Sequence, residues 1–250
     1  MTRFPAAVAE RVASLLVLLA AWQAAAWFAN SRLFPGPGTV LTTLAGDAVH
    51  GDLLYHLGIT LARVAVAFAL AMTIGSAIGI VMARSRTIDA LLDSGVVLFL
   101  NLPALVIAVL LYVWLGLTET AAIGAVTLSK MPTVIVTLRE GARALDADLA
   151  AMAKSFRLSR WRTLCHVSLP QLSPFFLIAS RTGLALIWKI VLVVELLGRP
   201  DGIGYAIQVF FQLFDVKRLI AYSLAFVAVV LSIEWGILQP FERRLARWRR

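Results

Sequence analysis

Six apolar runs in this sequence are each about as long as a lipid bilayer is thick. A helix needs roughly 20 mainly apolar residues to cross the hydrocarbon core of a membrane. The 250 residues are 60% hydrophobic and only 15% charged, whereas soluble domains average about 45–50% apolar and about 25% charged residues. The sequence therefore predicts an all-α membrane protein with spanning helices at about 12–29, 58–82, 94–115, 119–138, 174–197 and 219–238.

The basic residues predict which side of the membrane each connecting segment occupies, because cytoplasmic loops carry an excess of Lys and Arg. If the N-terminus is cytoplasmic, the outside segments hold four such residues: Arg32, Arg199, Lys217 and Arg218. The inside segments then hold fifteen: Arg3, Arg11, Arg84, Arg86, Arg139, Arg143, Lys154, Arg157, Arg160, Arg162, Arg243, Arg244, Arg247, Arg249 and Arg250. We therefore expect both termini to be cytoplasmic, and the net charge of +9 reflects topology rather than a nucleic-acid partner.

Short local signals refine this plan. The first run follows basic residues and could be a signal peptide, although it is long for one and further apolar runs follow. Two Pro-Gly pairs at residues 35–38 interrupt regular structure. The spacing of apolar residues over 40–49 predicts a short amphipathic helix at the membrane interface. Gly75 and Gly79 form a small-xxx-small pair, which predicts close approach to another helix.

Two further signals concern the third run. The charged residues 83–93 are interpreted as a short turn that precedes it. Within the run, the segment Asn101 to Pro103 interrupts the helix, because proline lacks a backbone donor and kinks a helix. Asn101 and Pro103 are expected either to mark a helix break that faces a transport pathway or to form a packing kink.

The longest polar interval, residues 146–170, is predicted to form two short helices. Asp146 can cap the first, with Asp148 in its first turn, and Pro170 is expected to end the second. The apolar residues of the first helix lie on one face, namely Leu149, Met152, Ala153 and Phe156.

Ser159 can cap the second helix, along which Trp161, Leu164, Cys165 and Ser168 share a side. Such a face either folds back on the protein or the lipid headgroups, or docks a separate protein.

The stretch LAAMAKSFRLSRWRTLCHVSLPQLSPFFLIASRTGLAL resembles the cytoplasmic EAA loop of the membrane subunits of ATP-binding-cassette importers. Its opening triplet is matched by Ala151, Met152 and Ala153, and its closing element by Val167, Leu169 and Pro170. Ala151 replaces the usual glutamate. Arg157 replaces the usual glycine, so either the bend there is gentler or Arg157 adopts an unfavoured conformation.

The resemblance extends over nearly the whole chain. LFPGPGTV, HLGITLARVAVAFALAMTIGSAIGIVMARSR, GRPDGIGYAI and LQPFERRLARW are similar to segments of the nitrate, sulfonate and taurine group of these permeases. It implies a type I importer permease fold in the bacterial inner membrane, and a coupling helix that docks on an ATPase. The coupling residues implied are Asp148, Leu149, Ala151, Met152, Ala153, Phe156, Arg157, Leu158, Trp161 and Pro170.

The resemblance also implies the partners and cofactors. The chain contains no phosphate-binding loop of the form G-x-x-x-x-G-K-[ST], so ATP and Mg²⁺ are expected on a separate ATPase chain. In the family, two permease subunits pair, two ATPases bind below, and a periplasmic or lipid-anchored binding protein delivers substrate. A homodimer is expected. A metal site is not expected, since Cys165 is the only cysteine and the three histidines are scattered.

Ionisable residues inside the apolar runs are candidates for the translocation pathway. Arg63 and Glu234 lie near the predicted ends of runs, where their side chains can reach the interface. Lys189, with Arg181, is predicted to attract an anion, or alternatively to pair with Glu195 or another buried acid.

The glycine pair Gly202 and Gly204 is interpreted as a turn before a gate-like helix, or as an ordinary turn between spans. A small organic or inorganic anion such as a sulfonate, taurine or nitrate is the expected substrate, with a vitamin or pyrimidine precursor as the alternative. A stand-alone secondary transporter is less consistent with the polar interval. The sequence lacks the catalytic motifs that an intramembrane enzyme would need, so the chain is predicted to be a transport subunit.

Overall fold

The computed structural model describes residues 4–238, which are helical almost throughout. Within that range the α-helices are α1 (Phe4–Ala29), α2 (Pro37–His50), α3 (Leu53–Arg84), α4 (Arg86–Asn101), α5 (Ala104–Leu115), α6 (Glu119–Arg143), α7 (Ala147–Ser155), α8 (Arg160–Thr163), α9 (Leu169–Gly198), α10 (Ile203–Gln212) and α11 (Val216–Ile233). Two π-helical segments, Leu164–Ser168 and Glu234–Leu238, follow α8 and α11. The basic tail of the sequence, residues 239–250, lies outside the described residues.

Several of the described helices are long and apolar enough to cross a membrane. Four pass by themselves: Leu53–Arg84, Glu119–Arg143, Trp161–Gly198 and Val216–Gly236. The bent pair α4 and α5 passes as one broken span, and Ala13–Ala29 in α1 is a shorter apolar helix. The prediction of an all-helical protein with several apolar spans is confirmed.

The centre of the molecule is built on α3, α6 and α9, which pack against one another. Gly75 and Gly79 lie in the contact between α3 and α6, as the small-xxx-small pattern predicts. A Cβ atom added at Gly79 would lie 2.5 Å from the carbonyl oxygen of Ile135. The absence of side chains at these positions therefore lets the two helix backbones approach closely.

The charged stretch 83–93 is helical, so its interpretation as a turn was wrong. Only Ser85 separates α3 from α4, and its hydroxyl accepts a hydrogen bond from the backbone N–H of Ile88. Asp89 in the first turn of α4 suits the positive end of the helix dipole. Arg139 of α6 binds Asp89 and Asp93, which fixes α4 against α6.

The interruption at residues 101–103 separates two helices rather than kinking one. The directions of α4 and α5 differ by 102° across it. Pro103 is the residue immediately before α5 and has an extended backbone conformation, with ψ of 135°. The chain therefore turns sharply at the proline, where continued helical hydrogen bonding is not available.

The prediction that Pro170 ends a helix was wrong. The chain is helical from Trp161 to Gly198, and the π-helical segment Leu164–Ser168 joins α8 to α9. In its wider turn the N–H of Leu169 donates to the carbonyl of Leu164, five residues earlier. Pro170 lies in the first turn of α9, where a missing backbone N–H costs least.

Candidate functional site

The segment 146–170 begins with a capped and anchored helix. The side chain of Asp146 accepts a hydrogen bond of 2.8 Å from the N–H of Asp148, which confirms the predicted cap of α7. The N–H of Asp146 donates to Oε1 of Gln171 in α9, at 2.9 Å. Ser159 likewise accepts from the N–H of Arg162 before α8. The first predicted short helix is therefore present as α7 and is tied to the start of α9, whereas the second continues through the π-helical segment into α9.

The turn between α7 and α8 passes through Arg157. Its φ angle is +48°, in the left-handed region that favours glycine. The N–H groups of Arg157 and Leu158 donate to the carbonyls of Lys154 and Ala153, which closes the end of α7. Of the two alternatives expected at this position, the unfavoured conformation is the one found, and the tight bend is retained.

The apolar face of this segment is largely uncovered. Ala153 is buried, but Phe156 is 74% exposed, Trp161 72% and Met152 47%. Leu149 is partly exposed. The same short segment carries the remaining predicted coupling residues, which are all at least partly exposed: Asp148, Ala151, Leu158 and Pro170. We name the exposed residues Leu149, Met152, Phe156 and Trp161 the coupling face.

Helices α9, α10 and α11, with the π-helical segment that follows α11, line a cavity of about 510 Å³ that is open to the surface, which we name the central cavity. Its walls are mainly apolar, including Trp188 and Phe226. Arg181, Lys189 and Glu234 supply its charged groups. The structure thus brings both predicted pathway cations to one space, together with an acid.

Arg63 does not reach the interface as predicted, because it lies in a buried cluster of charges. Its side chain is 4% exposed. Its Nη1 lies 2.8 Å from Oε1 of Glu195 and its Nε lies 2.6 Å from Oε1 of Glu119. Its Nη2 contacts the carboxylate of Asp201, and Nη2 of Arg199 contacts Glu119 at 2.7 Å. Because Glu195 binds Arg63, the alternative of a pair between Lys189 and Glu195 is not what the structure contains.

Gly202 and Gly204 lie at the start of α10, beside the charge cluster around Arg63. Gly202 has φ of +99°, and the N–H of Gly204 donates to Oε2 of Glu195 at 2.9 Å. A side chain at Gly204 would overlap the carbonyl oxygen of Leu192. Thr60 Oγ1 and His56 Nδ1 accept from the N–H groups of Ile203 and Gly202, at 2.8 and 3.0 Å. Side chains of α3 and α9 thus hold the first turn of α10, and Ile207 of α10 lines the central cavity.

Comparison with known proteins identifies the family. The family of binding-protein-dependent transport system inner membrane components matches residues 71–245, which is more than two thirds of the chain. The chain belongs to this family.

Individual relatives of this permease cover nearly its whole length. It is 28% identical over 235 residues to a permease protein assigned to aliphatic sulfonate transport in Bacillus subtilis (strain 168), covering 93% of this chain and 85% of the relative. It is 29% identical to the taurine transport system permease protein of Escherichia coli (strain K12), covering 95% and 88%. The chain is therefore the membrane permease subunit of an ATP-binding-cassette importer.

A solved structure gives the same fold. The crystal structure of an amino acid ABC transporter with histidines superposes with a TM-score of 0.63 at 21% identity, and the match covers 80% of this permease and 97% of that chain. At this identity the likeness concerns the fold. It agrees with the arrangement of apolar helices described above.

Asn101 and Pro103 are not part of the central cavity of the permease. Both lie at the break between α4 and α5, and Asn101 Nδ2 donates to the carbonyl of Val97 in its own helix, at 2.8 Å. The cavity is lined by α9, α10 and α11 instead. The side chain of Asn101 is thus bonded within its own helix.

Sequence reasoning missed the charge cluster of the permease because its members are far apart in the chain. Arg63 is 56 residues from Glu119 and 132 residues from Glu195. No local spacing connects them. The available signal was the carboxylate of Glu195 within an apolar run, which required a buried cation somewhere in the protein.

Proposed function

We propose that the permease crosses the bacterial inner membrane six times and has both termini in the cytoplasm. The four long apolar helices and the bent pair are five candidate crossings, and the shorter apolar helix Ala13–Ala29 is proposed as the sixth. The distribution of fifteen basic residues against four supports the orientation. On this topology, α7, α8 and the coupling face are cytoplasmic.

The coupling face is proposed to dock on a separate ATPase, which passes the movement caused by ATP binding and hydrolysis to α9. The observation that carries this proposal is an exposed apolar face on a segment that is tied to α9 and shaped by the left-handed Arg157. Large exposed apolar side chains at the centre of a patch are typical of protein interfaces. The proposed assembly holds two copies of this chain, two ATPases that bind ATP and Mg²⁺, and a substrate-binding protein on the outer side.

Replacing Phe156 with aspartate tests the docking role. A charge at the centre of the coupling face must be desolvated on docking, so we expect Phe156→Asp to weaken ATPase binding at least about tenfold. Binding is measured with the detergent-solubilised permease and its purified ATPase, and ATP turnover is measured in the reconstituted complex.

Phe214→Asp is the matched control, because Phe214 is 71% exposed and lies between α10 and α11, away from the coupling face. It should retain wild-type ATPase binding. Undiminished binding and uptake in Phe156→Asp would refute the docking role.

We also propose that the permease carries a small substrate with an anionic group, such as a sulfonate, taurine or nitrate. Two relatives are named for sulfonate and taurine transport, and Lys189 and Arg181 line the central cavity. A cation in a largely apolar cavity favours an anionic group passing through it. A vitamin or pyrimidine precursor is the alternative substrate.

Lys189→Met tests the role of the central cavity. Hydrogen bonds to charged groups are worth about 1.5–3 kcal/mol, so we expect uptake of taurine or an alkanesulfonate to fall roughly tenfold or more in proteoliposomes. Lys217→Met removes the same charge at an exposed position outside this cavity and should keep uptake within about twofold. Equal uptake by Lys189→Met and the wild type would exclude Lys189 from the pathway.

A further inference from the structure

A second cavity lies between the end of α3 and the segment that carries the coupling face. It has a volume of about 500 Å³ and is lined by Arg84, Ala153, Lys154, Leu158, Trp161, Thr163, Leu164 and Ser168. Two of these side chains are cationic, none is acidic, and two carry hydroxyl groups. We name it the basic cavity. Its composition suits a ligand with a phosphate group.

Among the described residues, the two cations of the basic cavity have no acidic partner, as is also the case for the nearby Arg86 and Arg162. Neither Arg84 nor Lys154 forms an ion pair with any residue in the range 4–238. By contrast, Arg139 and Arg143 at the same end of the helices bind Asp89. The positive charge of the cavity is therefore available to an external anion.

On α7, the basic cavity and the coupling face occupy different sides of the helix, whereas Trp161 of α8 borders both. Successive residues of a helix are about 100° apart, so Lys154, two positions from both Met152 and Phe156, points about 160° away from each. Ala153, which lies between them, is buried and lines the cavity. An ATPase on the α7 part of the coupling face therefore leaves Lys154 on the cavity side of α7 accessible, and Trp161 lies at the border between the two sites.

The surroundings of the basic cavity favour a lipid over a free anion. Arg84 is in the last turn of the spanning helix α3, and Trp161, which is 72% exposed, has the position typical of tryptophan at a membrane surface. Apolar side chains next to the lining residues in the chain are exposed: Val81, one turn before Arg84 in α3, is 46% exposed, and Leu169, which follows Ser168, is 40% exposed. A headgroup in the cavity thus has apolar surface beside it for its acyl chains.

We propose that the basic cavity binds the headgroup of an anionic phospholipid of the cytoplasmic leaflet. Arg84 and Lys154 bind the phosphate, and Thr163 and Ser168 supply further donors. The bound lipid lies between α3 and the segment that links α7 to α9. Lipid occupancy consequently supports the position of the coupling face from its membrane side. The proposal depends on the proposed orientation but not on the identity of the substrate.

The test is a titration of the detergent-solubilised permease with phosphatidylglycerol, followed by native mass spectrometry. A basic residue near an anionic membrane surface contributes on the order of a fivefold gain in binding. The double variant Arg84→Gln with Lys154→Gln should therefore bind phosphatidylglycerol about thirtyfold more weakly than the wild type. Phosphatidylcholine, which has no net charge, should bind weakly to both proteins.

The control is Arg86→Gln, because Arg86 is exposed and two residues from Arg84 but does not line the cavity. It should bind phosphatidylglycerol within about twofold of the wild type. An equal loss in Arg86→Gln would mean diffuse surface attraction and overturn the proposal, as would wild-type affinity in the double variant. Inorganic phosphate is the second arm: saturable binding of phosphate without binding of the lipid would also overturn it. Size-exclusion chromatography verifies that each variant is folded, and none of these readouts depends on transport.

Discussion

Arg63 shows how a single buried residue connects distant parts of the permease. It binds carboxylates from α6, α9 and the segment before α10. Glu195, which has no exposed surface, accepts further hydrogen bonds from Thr60 and from the N–H of Gly204. The guanidinium group presents five N–H donors in a fixed plane, so it binds both oxygens of Glu119 through Nε and Nη2 while it also contacts Glu195 and Asp201, a planar arrangement that lysine lacks.

Removal of this arginine should be strongly destabilising. Arg63→Gln leaves the buried Glu195 without its cation, and loss of one partner of a buried pair costs about 3–5 kcal/mol. We expect a decrease of that size in the free energy of unfolding, measured by SDS-induced unfolding in mixed micelles. Arg218→Gln is the control. The side chain of Arg218 is 46% exposed, so its ion pair with Asp47 should contribute only about 0–1 kcal/mol to the free energy of unfolding. Similar losses in both variants would contradict the role assigned to the cluster.

At the scale of helices, the predictions that succeeded rest on local chemistry. Gly75 and Gly79 predicted a helix contact, and Asp146 and Ser159 predicted helix starts, since caps and small residues act within a few positions of the chain. The failures have both local and distant causes. Ser85 caps α4 within residues 83–93, and Arg139, some 50 residues away, binds the acids of that helix. Pro170 lies within a helix because the preceding π turn accommodates it.

The contact between α3 and α6 can be tested at Gly79. Alanine there places a Cβ atom 2.5 Å from the carbonyl oxygen of Ile135, so the two backbones must separate. We expect Gly79→Ala to lower the free energy of unfolding by about 1–3 kcal/mol, as overpacking does elsewhere. Gly58→Ala lies in the same helix with no atom within 4 Å of the added Cβ and should be neutral or gain about 0.5–1 kcal/mol. Thermal unfolding of both variants in one detergent distinguishes a packing effect from helix propensity, and a more stable Gly79→Ala would refute the contact.

For the whole molecule, composition and charge were sufficient to predict a helical membrane protein, and the segment around Arg157 was sufficient to indicate its family. The cavities were not predictable in the same way. The central cavity and the basic cavity each combine residues from separate helices, which only the folded chain brings together. A cavity such as the one around Lys189 depends on how three helices pack, and periodicity within one helix does not contain that information.

The proposed orientation makes a prediction for the entire chain, because α2 and α7 must lie on opposite sides of the membrane. Cys165 is the only cysteine, so Cys165→Ser provides a background for single labels at exposed positions. In that background, Ser155→Cys should react with a membrane-impermeant maleimide in inside-out vesicles and remain unlabelled in right-side-out vesicles. His50→Cys at the end of α2 should show the reverse pattern. Labelling of both positions from the same side would contradict an odd number of crossings between them. It would also contradict the cytoplasmic position of the coupling face.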